Sequence, residues 1–334
     1  MRITVIGEAP GRWRTDGHLI RGLDELKFEF DYVLEEGEST GKKQIREGAA
    51  RLRERIARTR PKFVLLVGNT PLIAITGHAG IKQRHGVPFE QDGTFYLPIF
   101  APGMIYHDER IKPVFEADIA LFRQMVKAGK IPVEDGLNWT IVDSEAKFEA
   151  MLADLEGTVS FDIETNGLYP WAEGAKVMSL GLGTRTRQWC WPLNHHESMW
   201  PAASHRKMLA RVDARLRSCY LVAHNGKFDS LWMQVHYGLK WRCDFDTMLG
   251  HYIIDENSRH GLKFLASLYY GAPNYDVDKD TKTGGGPLYK HCHYLAHDVY
   301  YTRKLRFTIG REVDKDPGVA QVFYDLLMPC ATLY

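Results

Sequence analysis

The chain has 334 residues, of which 44% are hydrophobic and 25% are charged, and its formal net charge is +1. These values are typical of a globular protein of two or three domains, and the balanced charge means that any nucleic-acid contact must be a local patch. No run of 18 or more apolar residues occurs, which predicts no membrane span. The five cysteines include no C-x-x-C pair, which indicates neither a zinc knuckle nor a disulfide framework and favours a cytoplasmic setting.

The first part of the chain alternates predicted strands and helices. Strands are predicted at residues 3–6, 63–67 and 95–100, and helices at 44–60 and 111–128. The continuous apolar run at 63–67 is typical of a buried parallel strand. We therefore expect an α/β domain over residues 1–130.

A linker and a second α/β pattern follow. Residues 131–137 contain Pro and Gly and predict the linker. The predicted elements of the second domain, 138–312, are a strand at 139–142, a helix at 144–155 capped by Ser144, a strand ending at Asp162, a hairpin-like pair at 177–182 and 188–192, a helix at 205–217 and a strand at 220–223. The chain is then mostly helical, and the three consecutive glycines within 274–287 predict a mobile loop.

Two acids stand together in the stretch FDIETNGL (161–168). In a strand, residues i and i+2 face the same side, so Asp162 and Glu164 aim two carboxylates at one place. Like charges that close raise each other's pKa unless a cation lies between them, and a metal ion is the usual cation. Two solvated acids on an edge strand are the alternative for this motif alone.

Two further motifs place an acid four residues after a polar side chain in a helical setting. HNGKFD pairs Asn225 with Asp229, and HYLAHD pairs Tyr294 with Asp298, so each pair is expected on one helix face. Taken singly, a helix cap, a core aromatic residue or a surface acid would explain them. The ordered set D-x-E, N-x-x-x-D, Y-x-x-x-D is more specific, because three spacings must hold in one order.

This ordered set resembles the 3′–5′ proofreading exonuclease domain of family A DNA polymerases, the tyrosine branch of the four-carboxylate nucleases with a ribonuclease H-like fold. The stretch CDFDTMLGHYIIDENSRHGLKFLASLYYG (243–271) resembles the versions in phage polymerases. The resemblance implies that the metal ligands and catalytic acids are Asp162, Glu164, Asp229 and Asp298. Such an oxygen-rich site suits two Mg²⁺ or Mn²⁺ ions, which would clamp an in-line attack on the terminal phosphodiester and release nucleoside 5′-monophosphates.

The same resemblance implies roles for three further residues. Tyr294 is expected to be catalytic by orienting the attacking water, and Asn225 and Leu168 to bind the terminal nucleotide of DNA, Leu168 as an apolar wedge. A histidine branch of the superfamily places a histidine five residues before the last acid, and His293 stands five before Asp298. Both signatures fit by spacing, and the flanking sequence favours Tyr294.

GEAPG (7–11) follows the first predicted strand. Its glycines permit a tight turn whose N–H groups could hold an anion or a base edge, although a simple turn is an equal explanation. GEAPG, LLVGNTPLIAITGHAGI and RHGVPFEQDGTFYLPIFAP, in this order, resemble the uracil-DNA glycosylase superfamily, a three-layer α/β fold, and especially its iron–sulfur family. The resemblance implies a pocket, with Glu8 in the water-activating position, formed by Gly7, Glu8, Pro10, Gly11 and Asn69.

Two departures from that family argue against glycosylase activity. Its late motif has a histidine before proline, where Ala101 and Pro102 stand here. No cysteine precedes Cys190, so no iron–sulfur cluster can form. We expect a domain that keeps the fold for DNA contact or structural support, with the basic helix at 46–60 available to face phosphate.

The last stretch, VFYDLLMPCATLY (322–334), resembles the start of the connection to the polymerase domain, which we place at 313–334. No polymerase domain fits in what remains, so we expect either a truncated chain or a protein that works without a fused polymerase. The expected function is a metal-dependent 3′–5′ exonuclease of a phage polymerase, in the host cytoplasm. Its expected partners are single-stranded DNA 3′ ends, primer-template DNA and a polymerase domain or replication proteins, and no membrane.

Three alternatives stay open. An RNA-trimming exonuclease of the same superfamily would share the four acids. A DNA-binding or scaffolding module with an inactive nuclease would bind without cleaving, and uracil-DNA glycosylase activity of the first domain would persist in EDTA.

Overall fold

The computed structural model describes residues 2–10, 17–131, 137–272 and 275–331. Within them the chain divides into two compact units, one of residues 2–131 with 270–272 and the other of 137–269 with 275–331. Each unit has its own β-sheet and its own helices, so the predicted α/β class is confirmed. None of the helices in the described residues is both long and apolar enough to cross a membrane.

The first unit is built on a five-stranded sheet. Its strands are β1 Ile3–Gly7, β2 Glu29–Tyr32, β3 Phe63–Val67, β4 Phe89–Gln91 and β5 Thr94–Ile99. Its helices are α1 Gly17–Leu23, α2 Lys42–Thr59, α3 Asn69–Thr76, α4 Ile81–Arg84, α5 Gly103–His107 and α6 Lys112–Ala128, with a 3-10 turn at Glu109–Ile111. The sheet order is β2-β1-β3-β5-β4, and only β4 runs antiparallel to its neighbour.

The second unit carries a longer, mixed sheet. Its strands are β6 Trp139–Ile141, β7 Thr158–Thr165, β8 Val177–Gly183, β9 Gln188–Pro192, β10 Tyr220–Ala223 and β11 Phe245–Asp246. Its helices are α7 Glu145–Asp154, α8 Ala202–Leu216, α9 Gly226–Tyr237, α10 Thr247–Ile254, α11 Leu262–Tyr270, α12 Lys279–Lys282, α13 Leu288–Val313, α14 Pro317–Val322 and α15 Met328–Ala331, with a π-helical turn at Phe323–Leu327.

The order of strands in this second sheet is β11-β10-β7-β8-β9-β6. Strand β8 runs antiparallel to both of its neighbours, whereas the remaining pairs are parallel. The central position of β7 places it under the 26-residue helix α13, which packs on β7, β8 and β9. Two long elements, β7 and α13, therefore face each other at the middle of the unit.

Several expectations are met and others need correction. The helix capped by Ser144 is confirmed, because its hydroxyl accepts a hydrogen bond from the N–H of Lys147. The strand predicted to end at Asp162 instead continues to Thr165, because β8 pairs with it along that length. The segment predicted as a loop at 274–287 contains α12, whose first turn is capped by the Asp278 carboxylate. Strands β2 and β4 had no prediction, and most of the predicted linker lies outside the described residues.

Candidate active site

Strand β7 presents two of the predicted acids. Asp162 and Glu164 alternate with Phe161 and Ile163, whose side chains are buried in the core. The alternation follows from the two-residue period of a strand, so both carboxylates leave the same face. The register of β7 against β8 shifts just after Glu164, at Thr165, which ends the regular pairing beside the two acids.

Helix α13 brings Asp298 to the sheet, and two glycines of β8 allow its close approach. A Cβ atom at Gly181 would lie 2.8 Å from Leu295 and 2.9 Å from Val299, both on α13. A Cβ atom at Gly183 would lie 2.9 Å from the carbonyl oxygen of Val299. These distances are shorter than ordinary packing permits, so the glycines allow α13 to lie close to β8, the neighbour of the strand that carries the acids.

The start of α9 positions Asp229. Its Oδ1 accepts a hydrogen bond of 2.9 Å from the N–H of Ile163, which ties the buried carboxylate to the backbone of β7. Asn225 lies one residue before α9 with a φ of 61°, in the left-handed region. The prediction that Asn225 and Asp229 share a helix face is therefore wrong in detail, because Asn225 is not part of the helix.

Asp246 holds the turn that leads into α9, and sequence reasoning missed this residue. Its two carboxylate oxygens accept hydrogen bonds from the N–H groups of Asn225 and Gly226, at 3.1 and 2.9 Å. The same carboxylate caps α10 by accepting from Met248 and Leu249. A single buried acid thus fixes two helix starts, which orients the first turn of α9 and with it Asp229.

Three acids from two elements, β7 and α13, come together at this place. Asp162, Glu164 and Asp298 each offer one oxygen atom, and these atoms lie within 4.8 Å of one another. Burial, followed by the charges of Asp229, Asp298 and Glu164, raises the pKa of Asp162 well above its ordinary value. Burial and the charge of Asp298 do the same to the pKa of Glu164.

Asp229 belongs to the same electrostatic group. Burial, opposed by its backbone hydrogen bond from Ile163, raises its pKa to about 8. Carboxylates that are this close and this buried repel one another in their charged forms, and added positive charge relieves the repulsion. The group therefore has the chemistry of a cation site with oxygen ligands.

Lys263 of α11 supplies one positive charge to this site. Its Nζ donates hydrogen bonds to both oxygens of Asp298, at 3.2 and 3.3 Å, and to the hydroxyl of Tyr294, at 2.7 Å. Burial acts to lower the pKa of Lys263, but the charges of Asp298 and Glu164 outweigh it and raise the pKa. Lys263 was not singled out from the sequence, although it lies in the HGLK stretch.

Two tyrosines flank Asp298. Tyr294 and Asp298 lie on α13 four residues apart, as predicted, and Tyr294 is only 6% exposed. Burial and the charge of Asp298 raise the pKa of Tyr294, so the phenol keeps its proton. The hydroxyl of Tyr275, which the sequence gave no reason to choose, donates a 2.8 Å hydrogen bond to Oδ1 of Asp298.

His293 lies in a different environment from its neighbour Tyr294. Its ring stacks on Tyr289 at 6.0 Å and contacts Trp139 at 5.5 Å and His297 at 4.4 Å. These partners of His293 are aromatic rings. Tyr294 is instead linked to Asp298 through Lys263, whose Nζ donates hydrogen bonds to both residues.

A second group with metal-compatible geometry is formed by His195, His196 and Glu197. Both imidazoles are hydrogen-bonded to backbone carbonyl groups. Nε2 of His195 donates to the carbonyl of Gly286 at 3.0 Å, and Nδ1 of His196 donates to the carbonyl of Gly284 at 2.9 Å. Nδ1 of His195 also accepts from the N–H of Glu197. This group is sufficiently explained as a clamp on residues 284–286.

The nucleotide-contact residues predicted from the sequence are both exposed. Leu168 is 74% exposed on the loop that follows β7, and Asn225 is exposed at the start of α9. Both lie next to elements that carry acids of the cluster.

The pocket predicted in the first unit has different contacts. Gly7 ends β1, and Oε2 of Glu8 accepts a 2.7 Å hydrogen bond from the hydroxyl of Thr70. Pro10 is exposed, whereas Gly11 lies outside the described residues.

Asn69, the first residue of α3, holds a loop of the first unit. Its Oδ1 accepts hydrogen bonds from the N–H groups of Gly80 and Ile81, at 3.0 and 3.3 Å. The side-chain oxygen is thus already bonded to the segment that leads into α4.

Comparison with known proteins agrees with the geometry of the second unit. The sequence profile of a family described as 3′–5′ exonuclease, of the family A DNA polymerase type, matches residues 139–314. The DNA polymerase of Escherichia phage T5 is 27% identical over 294 residues, which cover 80% of this chain and 34% of the polymerase. The DNA polymerase of Bacillus phage SP01 is 24% identical over 251 residues, which cover 65% of this chain and 26% of the polymerase.

A partial likeness to solved structures also exists. The catalytic core of RRP6 from Trypanosoma brucei is 16% identical, with a TM-score of 0.48, over 61% of this chain and 54% of that one.

The second unit is therefore a nuclease domain of α/β fold. The chain belongs to the family of 3′–5′ exonuclease domains of family A DNA polymerases, and it spans about a third of the length of the phage T5 polymerase and about a quarter of that of phage SP01.

Proposed function

We propose that this chain is a divalent-metal-dependent exonuclease that removes nucleotides from the 3′ end of single-stranded DNA and releases nucleoside 5′-monophosphates. The observation that carries the proposal is the convergence of Asp162, Glu164 and Asp298 within 4.8 Å, on two elements far apart in sequence. DNA is proposed as the substrate because the curated relatives are DNA polymerases.

The donor set fits hard divalent cations. The proposed metal ligands are Asp162, Glu164, Asp229 and Asp298, which offer only carboxylate oxygens, the ligands preferred by Mg²⁺ and Mn²⁺. Two such ions, when bound, would supply an activated water and charge stabilisation for the departing 3′ oxygen. The raised pKa values of Asp162 and Glu164 support this assignment, because they mark carboxylates that lack sufficient positive charge.

The proposed role of Tyr294 is to donate a hydrogen bond to the attacking water and so to position it. Lys263 donates to the phenol oxygen, so the proton of the phenol itself remains available for another acceptor. Because the pKa of Tyr294 is raised, the residue does not act as a base at neutral pH. Lys263 would thus position Tyr294 and Asp298 together.

Leu168 and Asn225 are proposed to contact the terminal nucleotide. Both are exposed beside the acids, Leu168 after β7 and Asn225 before α9. A preference for single strands would follow, because the last bases must separate from a partner strand before an apolar side chain can contact their faces.

The proposed biological role is proofreading within a phage-type DNA polymerase, with primer-template DNA and a polymerase domain or replication proteins as partners. We also propose domain bounds of 1–130 and 138–312, a linker at 131–137, and a connecting segment at 313–334.

For the first unit we propose a uracil-DNA glycosylase-like fold that serves DNA contact or support and lacks glycosylase activity. The engagement of Glu8 with Thr70, and of Asn69 with the turn at Gly80, supports a structural use of both side chains. Uracil release in EDTA by the intact chain would contradict this proposal.

A gel assay tests these proposals together. A 5′-labelled DNA single strand that contains uracil is incubated with Mg²⁺, Mn²⁺ or EDTA and then treated with alkali. An RNA strand of the same sequence is incubated in parallel without the alkali step, because alkali cleaves RNA. We expect a ladder that shortens from the 3′ end of DNA only with a metal ion. Faster cleavage of RNA would identify an RNA-trimming enzyme, a single break at uracil in EDTA would identify a glycosylase, and intact strands in every lane would leave a binding module.

A further inference from the structure

The loop between β7 and β8 exposes three large apolar side chains within four residues. Leu168 is 74% exposed, Tyr169 is 62% exposed and Trp171 is 68% exposed, and the rings of Tyr169 and Trp171 lie 6.3 Å apart at 39°. Single exposed apolar residues are common, but a contiguous group marks an interaction site. These three side chains are therefore exposed to solvent and do not contribute to the core of the second unit.

The base of this loop is held by its own hydrogen bonds. The side chain of Asn166 donates to the carbonyl of Gly174 at 2.8 Å and accepts from the N–H of Lys176 at 2.7 Å. The hydroxyl of Thr165 donates to the carbonyl of Gly167 at 2.7 Å. The exposed side chains therefore stand on a backbone that is tied at both of its ends.

The middle of the loop is bonded to the helix that carries Asp229. Nε2 of His236 donates a 2.9 Å hydrogen bond to the carbonyl of Pro170, and the imidazole stacks on Trp232 at 5.1 Å. Asp229 and His236 are seven residues apart on α9, which is about 10 Å along the helix axis. At about 3.4 Å for each stacked nucleotide, this distance equals about three nucleotides of a single strand.

We propose that Tyr169 and Trp171, which follow Leu168 on this loop, form a stacking surface for the bases that lie a few nucleotides before the 3′ end of the substrate strand. This inference rests on the proposed nuclease function and extends it from the terminal nucleotide to the strand behind it. The ligand class is a single-stranded oligonucleotide, whose bases stack on aromatic rings without regard to sequence. An oligonucleotide is favoured over a protein partner because the loop continues directly from β7, which carries Asp162 and Glu164.

Stacking makes a distinct prediction about salt. Phosphate contacts make affinity depend on salt, whereas contacts between rings and bases release no counterions. Removal of Tyr169 and Trp171 should therefore weaken binding by a similar factor at low and at high salt. It should affect long strands and spare a dinucleotide, which is too short to reach Tyr169 and Trp171.

The test uses the full chain with Asp162→Ala and Glu164→Ala, so that labelled strands stay intact, in buffer with EDTA. Into this background are placed Tyr169→Ala with Trp171→Ala, the conservative pair Tyr169→Phe with Trp171→Phe, and the control Tyr289→Ala. Tyr289 is a tyrosine of the same unit with a similar exposure of 65%. Fluorescence anisotropy measures Kd for oligothymidylates of two, four, eight and twelve nucleotides at two salt concentrations.

We expect the alanine pair to raise Kd for the eight-nucleotide strand by at least about 10-fold, with an unchanged salt slope and an unchanged Kd for the dinucleotide. The phenylalanine pair should restore most of the affinity, and Tyr289→Ala should behave like the parent. Equal binding by the alanine pair and the control would overturn the proposal. A change in oligomeric state with unchanged DNA binding would also overturn it, and would assign the loop to a protein interface.

A cleavage experiment separates this proposal from the nuclease proposal. In the chain with intact acids, the alanine pair should raise KM for an eight-nucleotide strand about 10-fold, with little change in kcat. If strands are cleaved normally by the alanine pair, the stacking surface is wrong and the nuclease stands. If no variant cleaves but the loop still controls binding, the nuclease is wrong and the stacking surface stands.

Discussion

Each unit places acids on or just after a strand that has a neighbour on both sides in its sheet, but the surroundings of these acids differ. In the first unit, Glu8 follows β1 and accepts a hydrogen bond from the neutral hydroxyl of Thr70. In the second unit, Asp162 and Glu164 on β7 meet Asp298 from α13. Within the described residues, no group of three potential metal ligands was found in the first unit.

The difference shows what makes a cation site of acids carried by a strand. One acid in contact with a hydroxyl group can be stable as it is, whereas three carboxylates whose oxygen atoms lie within 4.8 Å of one another need positive charge. In the second unit, α13 and α9 bring Asp298 and Asp229 to β7, and these added carboxylates create the need for positive charge. The comparison predicts that nuclease activity depends on the converging acids and is indifferent to Glu8.

The largest effect is expected from removing the acids of β7. Asp162→Ala with Glu164→Ala should lower the rate of 3′-end cleavage by at least about 10³-fold, since metal ions supply several kcal/mol of transition-state stabilisation. Single-turnover cleavage of a labelled strand with Mg²⁺ measures this rate, and circular dichroism confirms the fold. The matched control in the other unit, Glu8→Ala, should stay within about twofold of the parent, and equal losses in both variants would end the distinction between the units.

The next effect concerns the hydroxyl of Tyr294. Tyr294→Phe should slow cleavage by about 10- to 100-fold, because the proposed water-orienting hydrogen bond is lost. His293→Ala, at the neighbouring position, should change the rate by less than about twofold. The same single-turnover assay measures both variants, and the reverse result would place the chain in the histidine branch.

A smaller effect is expected from the glycine that lets α13 approach β8. Gly181→Ala should lower the free energy of unfolding by about 1–3 kcal/mol, because its Cβ would meet Leu295. It should also slow cleavage by about 10-fold, because Asp298 would shift.

Gly22→Ala is the comparison for this prediction in the first unit, where a Cβ would lie 2.8 Å from Ile119. It should cost similar stability without slowing cleavage. Denaturant unfolding and the cleavage assay are applied to both variants. If Gly22→Ala slows cleavage as much as Gly181→Ala does, the close approach of α13 to β8 is not the cause of the slower cleavage.

The smallest effect is a pH dependence of the melting temperature in EDTA. Because folding raises the pKa of Asp162 and Glu164, and that of Asp229 to about 8, the folded chain holds more protons than the unfolded chain between pH of about 4 and 8. This contribution to stability is present below pH of about 4 and is lost as pH rises towards 8.

The variant Asp162→Asn with Glu164→Gln should show a shallower fall of melting temperature over that range. Addition of Mg²⁺ should raise the melting temperature of the parent more at pH 8 than at pH 5, because metal ions and protons compete for the carboxylates. Differential scanning fluorimetry measures both trends, and equal slopes for parent and variant would contradict the assigned pKa shifts.

Local features of both units were predictable from sequence patterns. The apolar run Phe63–Val67 has the composition of a buried parallel strand and forms β3. The cap at Ser144 followed from its hydroxyl before a helical stretch. The side on which Asp162 and Glu164 emerge followed from the two-residue period of a strand, a property of the backbone alone.

Features that depend on distant partners were missed. The left-handed conformation of Asn225 depends on Asp246, a residue 21 positions later that binds the N–H groups of this turn. Helix α12 lies in a glycine-rich segment whose carbonyl oxygens are held by His195 and His196. Local helix and strand propensities contain no information about such contacts, so the sequence predicted a loop at 274–287, where the structure has α12.

The amino-acid sequence by itself determined the alternation of strands and helices, the spacing of the acidic motifs and the family to which they belong. Only the tertiary structure decided that Lys263 and Tyr275 both bond to Asp298, and how near α13 lies to β8. The physical reason is range: spacing along one strand or helix follows from backbone geometry, whereas distances between elements are set by packing, where the absence of a Cβ at Gly181 and the charge of a buried lysine take effect.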